Sequence, residues 1–131
     1  MARVVRPEEF GAVSSLPGPQ RYEYFLKRVV DAEEVWLLRS ASGWIVASDD
    51  DGVGLFPVWS DEAYAQACRE GEWAESEPTS IPLEEWRAKW LPELERDGRR
   101  VAVFPVRGGV TGVSVDPHRL LEDIDAEEGR Y

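Results

Sequence analysis

Between residues 34 and 58 the chain carries three strand-like apolar runs separated only by short polar turns, and this spacing restricts the fold more than any other feature. The runs are Glu34-Val-Trp-Leu-Leu-Arg39, Trp44-Ile-Val-Ala-Ser48 and Val53-Gly-Leu-Phe-Pro-Val58. Ala41-Ser-Gly43 divides the first pair and Asp49-Asp-Asp-Gly52 the second. Connections this short admit hairpins, whereas parallel neighbours need a crossover of a dozen residues or more. Helical patterns flank the block. Tyr22, Phe25, Leu26, Val29 and Val30 fall on one face of a helix expected over 19–32, with Pro19 in the first turn, where its missing N–H is harmless.

After the strands, Ser60 reads as an N-cap, and Asp61 and Glu62 suit the positive end of a helix that Gly71 stops. Residues 72–80 read as irregular or a short strand. Leu83, Trp86, Trp90 and Leu94 give the next helix an apolar stripe that Pro92 should kink or break. The runs 100–105 and 110–115 form a second hairpin over Arg107-Gly-Gly109, and Asp116 caps a last helix carrying Leu120, Leu121 and Ile124. Separate hairpins and helices, without strict alternation, indicate an α+β fold: a mainly antiparallel sheet of about five or six strands with about four helices packed on it. The expected organisation is an extended lead-in over 1–18, one domain over 19–125 and a loose acidic tail over 126–131. Leu55-Phe-Pro-Val58 and Val103-Phe-Pro-Val106 echo each other at two strand ends, too briefly to establish a duplication.

Charge and length narrow the function classes. The chain has 131 residues and a formal net charge of −11. Residues 1–30 hold five basic and three acidic side chains, and the remainder ten basic and 23 acidic. Such a balance repels nucleic acid and anionic membranes and attracts basic partners. The apolar runs fall far short of the ~20 residues that span a bilayer, and no signal peptide is visible. The single cysteine, Cys68, cannot form an internal disulfide, which suits a reducing compartment, so a cytoplasmic location is expected.

Together, Arg21-Tyr-Glu-Tyr-Phe-Leu26, Glu34-Val-Trp36, Gly43-Trp44, Phe56-Pro-Val-Trp59, Gly71-Glu-Trp73, Ile81-Pro-Leu-Glu-Glu85, Trp90-Leu-Pro92 and Val101-Ala-Val-Phe-Pro105 resemble domain-of-unknown-function family 2750. The resemblance covers about residues 20–121 and implies a small stand-alone bacterial domain. It brings no activity, cofactor or catalytic residue.

The chemical motifs give little support for catalysis. An EF-hand loop with its glycine at Gly52 would place Ala47 and Val58 at ligand positions, so Asp49–Asp51 reads as a hairpin turn and no metal is expected. His118 is the lone histidine, at the start of the last helix. Cys68 reads as a small buried hydrophobe, so a Cys68–His118 dyad and a zinc site are both disfavoured. Gly108-Gly109 lies in a hairpin and not between a strand and a helix, which argues against a phosphate loop. No cofactor is expected.

Six tryptophans are the unusual feature. Trp86 and Trp90 share the helical stripe and belong to the expected core. Trp36 and Trp44 lie in strands and face either way. Trp59 and Trp73 flank the second helix and are the candidate partner-binding residues. The expected role is a protein-binding module, regulatory or immunity-like, whose acidic surface meets a basic protein. The alternative is a small enzyme with a carboxylate-lined pocket.

Overall fold

The computed structural model describes residues 5–48, 51–106 and 112–129. It is an α+β structure. Helices α1 (Pro7–Ser14) and α2 (Gly18–Ala32) lead into strands β1 (Glu34–Ser40), β2 (Gly43–Trp44), β3 (Ala47–Ser48) and β4 (Gly54–Val58). Helix α3 (Glu62–Ala67), a 3-10 turn (Gly71–Trp73) and β5 (Glu77–Pro82) follow. Then come α4 (Leu83–Glu85), one wide π turn (Trp86–Trp90), α5 (Leu91–Arg96), β6 (Arg100–Val103), β7 (Val113–Val115) and α6 (Pro117–Glu128).

The strands form two sheets, in the orders β2-β1-β5 and β3-β4-β6-β7. All pairings are antiparallel except β4 with β6, whose parallel register sets Phe56 beside Val101 and Val58 beside Val103. The chain between these two strands, residues 59–99, is long enough for the crossover that parallel pairing needs. A reciprocal pair of backbone hydrogen bonds between Trp36 and Trp59, at 2.9 and 2.8 Å, joins the sheets. The run 44–48, expected as one strand, is therefore two. Trp44 pairs with Arg39, and the Ile45 N–H still reaches the Leu38 carbonyl at 2.9 Å; the chain then crosses, and Ala47 pairs with Leu55.

Period-two alternation sends Phe56, Val58, Val101 and Val103 to one face of β4 and β6, into a core shared with Phe25, Val29, Trp86, Leu120 and Ile124. Helix α2 buries Phe25, Leu26 and Val29, as its stripe requires. It ends at Glu33, whose left-handed backbone (φ 59°) lets its N–H bond the Val29 carbonyl.

Several local expectations need correction. The lead-in contains α1, which buries Val13, so 1–18 is not simply extended. At the other end, α6 continues to Glu128 with Glu127 buried, so the acidic stretch begins as ordered helix rather than a loose tail. The N-cap of α3 is Asp61 and not Ser60, because the Asp61 carboxylate is engaged with Arg28 and the helix starts one residue later. That helix ends at Cys68, and left-handed Gly71 (φ 59°) opens the 3-10 turn instead. Pro92 breaks nothing: the Leu91 N–H bonds the Trp86 carbonyl five residues back, and the widened turn gives the proline ring room. Strand β6 stops at Val103, because Phe104 adopts φ 61°. The turn residues Asp49, Asp50 and 107–111 lie outside the described residues, but the antiparallel pairs flanking both turns are present, and Gly52 has φ 83°.

Candidate functional site: a cleft on the outer face of the four-stranded sheet

The same alternation that buries Phe56 and Val101 turns Leu55, Pro57 and Ala102 to the opposite face of the sheet. There they line a cleft of about 230 Å³ together with Pro105, Val106, Glu70 and Trp73. Two further hollows continue it. One, of about 110 Å³, lies between α1 and α3 against Phe10, Tyr64 and Phe104, and shares Cys68, Pro105 and Val106 with the cleft. The other is shallow, about 520 Å³, and spreads over Val46, Glu72 and Trp73.

Phe104 shapes the floor. Its left-handed backbone is costly for a bulky residue, and two contacts hold it: its N–H bonds the Val58 carbonyl at 2.8 Å, and Arg21 Nε donates to its carbonyl at 3.2 Å. The reversal turns the Pro105 carbonyl inward. Trp59 Nε1 donates to that oxygen at 2.8 Å and Cys68 Sγ at 3.4 Å.

These bonds decide the standing of the two candidate tryptophans. Trp59 is fully buried, at 0 % exposure, so it cannot touch a partner, and its surface role is withdrawn. A tryptophan just after a strand end carries no periodicity that would show its direction. Its place is behind Trp73: the rings meet edge to face with centroids 6.3 Å apart. Trp73 is half-buried and reaches the cleft, so Trp59 positions it from within.

Cys68 is buried on the cleft floor. His118 is exposed, with ring Nε2 3.8 Å from Glu122 and its backbone N–H donating to Glu95 Oε1 at 3.1 Å. The structure therefore does not bring the two into a dyad. Among the described residues no group of three or more His, Cys, Asp and Glu side chains is placed to hold a metal ion. Nor is any described helix long and apolar enough to cross a membrane. A carboxylate-lined hollow does exist elsewhere, about 200 Å³ between Val30, Asp31, Glu33 and Glu128.

Beneath α1 lies a polar cluster that sequence reasoning missed. Tyr24 donates to Glu9 Oε2 at 2.7 Å and meets the Tyr64 hydroxyl at 3.0 Å, while Phe10 stacks on Tyr64 at 5.4 Å. Burial and the charges of Glu9 and Asp61 push Tyr64 up to about 12. Burial, with the hydrogen bonds to Tyr64 and Glu9, also raises Tyr24. Burial would lower Arg28, but the hydrogen bond and charge of Asp61 outweigh it and hold the guanidinium above its ordinary value. No sequence motif joins these residues; only the packing of α1, α2 and α3 does.

The family described as Protein of unknown function (DUF2750) matches residues 22–124, and the chain belongs to it. Comparison with curated proteins gave no match. Among solved structures, Anabaena Tic22 (protein transport) is similar with a TM-score of 0.41 and 17 % identity over 65 % of this chain. The chain spans 47 % of that protein's length.

Proposed function

We propose that this member of the DUF2750 family is a protein-binding module whose cleft receives one apolar side chain of a basic partner. The observation that carries the reading is the lining. Leu55, Pro57, Ala102 and Val106 make the cleft apolar, Trp73 stands half-buried at its edge, and Glu70 and Glu72 lie on the rim. At about 230 Å³ the cleft has room for one anchoring side chain, and the hollows that continue it leave space for the residues flanking that anchor. Apolar floor, aromatic edge and acidic rim together form the pattern of an anchor surrounded by steering charge. The net charge of −11 extends that steering beyond the rim.

The test begins with capture of partners from lysate, ranked by isoelectric point. Trp73→Ala should then weaken binding of the recovered basic partner by about 2 kcal/mol, mostly through faster dissociation. Raising salt should slow association and leave dissociation nearly constant. Recovery of an acidic partner, or a partner whose affinity ignores Trp73→Ala, would refute the reading.

A further inference from the structure

The described strands leave sheet edges at β2, β5, β3 and β7. An edge invites pairing with another chain unless its outward N–H and C=O groups are removed or occupied. On β1, Trp36 turns its backbone groups to Trp59, so Ser80 opposite it faces away from β1, and Pro78 and Pro82 share that direction. The two prolines bring no N–H to the outer side of β5. On β7 the Ser114 carbonyl accepts from Arg100 Nη2 at 3.4 Å.

Strand β3 has neither device. The Phe104 N–H bonds the Val58 carbonyl on the β6 side, so by alternation the backbone groups of Leu55 face β3 and meet Ala47. The Ile45 N–H also points inward, to Leu38. Val46 and Ser48, alternating with these, turn their N–H and C=O groups outward. Both residues are exposed, and among the described residues nothing bonds those groups. The hollow of about 520 Å³ lies beside this edge, lined by Val46, Ala47 and Ser48 together with Glu70, Glu72 and Trp73. It shares Ala47, Ser48, Glu70 and Trp73 with the cleft. Ala47 lies on the cleft face with its register partner Leu55, and its small side chain leaves the way over the edge open. Val46 points to the other face and is 40 % exposed.

We propose that the basic partner docks as an extended segment that adds a strand antiparallel to β3. This inference rests on the cleft being the anchor site of a basic partner, and it specifies how the chain carrying the anchor is held. Residues opposite Ser48 and Val46 exchange both backbone hydrogen bonds with them. The residue between, opposite Ala47, turns its side chain over the edge into the cleft. Residues two positions to either side of the anchor share its face, and Lys or Arg there meets Glu70 and Glu72. A β-branched residue opposite Val46 packs against it. The recognised pattern is basic-x-apolar-x-basic in an extended chain. A helical ligand would leave the outward groups of Val46 and Ser48 unpaired.

The probe is a capped synthetic peptide, Gly-Lys-Thr-Leu-Val-Lys-Gly, titrated into isotope-labelled protein. The backbone amide resonances of Val46 and Ser48 and the indole resonance of Trp73 should shift together and saturate. Methylating the Thr and Val nitrogens, which face β3, should weaken binding by about tenfold or more, whereas methylating the Leu nitrogen, which faces away, should leave it nearly unchanged. Ser48→Pro removes an outward N–H at an edge position that tolerates proline, and should weaken binding where Ser48→Ala does not. If Trp73→Ala weakens the peptide but flank methylation does not, edge pairing is overturned and the cleft reading survives. If flank methylation weakens it and Trp73→Ala does not, the pairing holds and the cleft reading falls. Absence of saturation at millimolar peptide, or a protein already dimeric through β3 before peptide is added, would also overturn the inference.

Discussion

Arg28 on α2 and Asp61 at the start of α3 face each other as a buried ion pair, with side chains only 10 % and 6 % exposed. Arg28 Nε donates to Asp61 Oδ1 at 3.2 Å, Nη2 donates to Oδ2, and Ser60 Oγ donates to Oδ1 at 2.7 Å. The pair ties the helix packed on the sheet to the turn that leaves β4. Two desolvated charges do little for stability by themselves, but stranding one of them is severe. Asp61→Ala should therefore destabilise the protein by about 3–5 kcal/mol in denaturant titration. The double replacement Arg28→Met with Asp61→Leu should recover most of that loss. Equal losses in the single and double variants would show that packing, and not stranded charge, dominates at this site.

Gly112 and Gly11 should respond in opposite directions to alanine. A Cβ on Gly112 would stand 2.3 Å from the Val103 carbonyl oxygen, where backbone cannot yield without moving β6. Gly112→Ala should lower the melting temperature strongly or abolish folding. A Cβ on Gly11 meets nothing within 4 Å, and the residue sits inside α1. Gly11→Ala should stabilise by about 0.5–1 kcal/mol, the usual gain inside a helix. Comparison of the two melting curves checks both.

The two helical tryptophans do not share the load equally. Trp86 is fully buried, and its ring N–H has no acceptor, whereas Trp90 is half-buried and donates to Glu85 Oε2 at 3.2 Å. Trp86→Ala should cost about 3–5 kcal/mol, a large part of the ~5–15 kcal/mol that holds a domain of this size. Trp90→Ala should cost less, because part of its ring is already in water. Trp86→Phe should be far milder than Trp86→Ala, since it removes an unsatisfied donor along with the lost volume. A Trp90→Ala variant less stable than Trp86→Ala would contradict this order.

The sequence made the amphipathic elements legible because their information is local. The stripe of Phe25, Leu26 and Val29 placed α2, and the turns after Arg39 and Ser48 placed the hairpins. Helix α1 was hidden because Pro7, Gly11 and the Pro17-Gly-Pro19 stretch read as loop chemistry, while only Val13 is buried along it. The parallel β4–β6 pairing joins residues more than forty positions apart, and no local pattern announces it. The cleft shares that difficulty: Leu55, Pro57 and Ala102 become one surface only through that pairing. Trp73 could be singled out because it had no stripe to belong to; the same reasoning failed for Trp59, which the Pro105 carbonyl draws inside.

Alkaline pH should unfold the protein through its tyrosines. Three of the four tyrosines, Tyr22, Tyr24 and Tyr64, have hydroxyls held above their ordinary value, chiefly by burial. The hydrogen bond to Asp123, made at 2.5 Å, adds to the effect at Tyr22. Each favours the neutral phenol in the folded state, whereas the unfolded chain releases the proton near pH 10. The folded state therefore binds more protons than the unfolded state as pH rises past 10, and stability falls with pH there. The contribution is intact below pH 10. For Tyr64 it is lost as pH climbs through about 12, and Tyr22 and Tyr24 extend the loss beyond it. Absorbance at the tyrosinate band should show three of the four phenols ionising late and together with loss of the tryptophan signal of the folded core. Tyr24→Phe with Tyr64→Phe should move that transition to higher pH. Ordinary titration of Tyr22, Tyr24 and Tyr64 near pH 10, with the fold intact, would contradict the burial that the structure assigns to them.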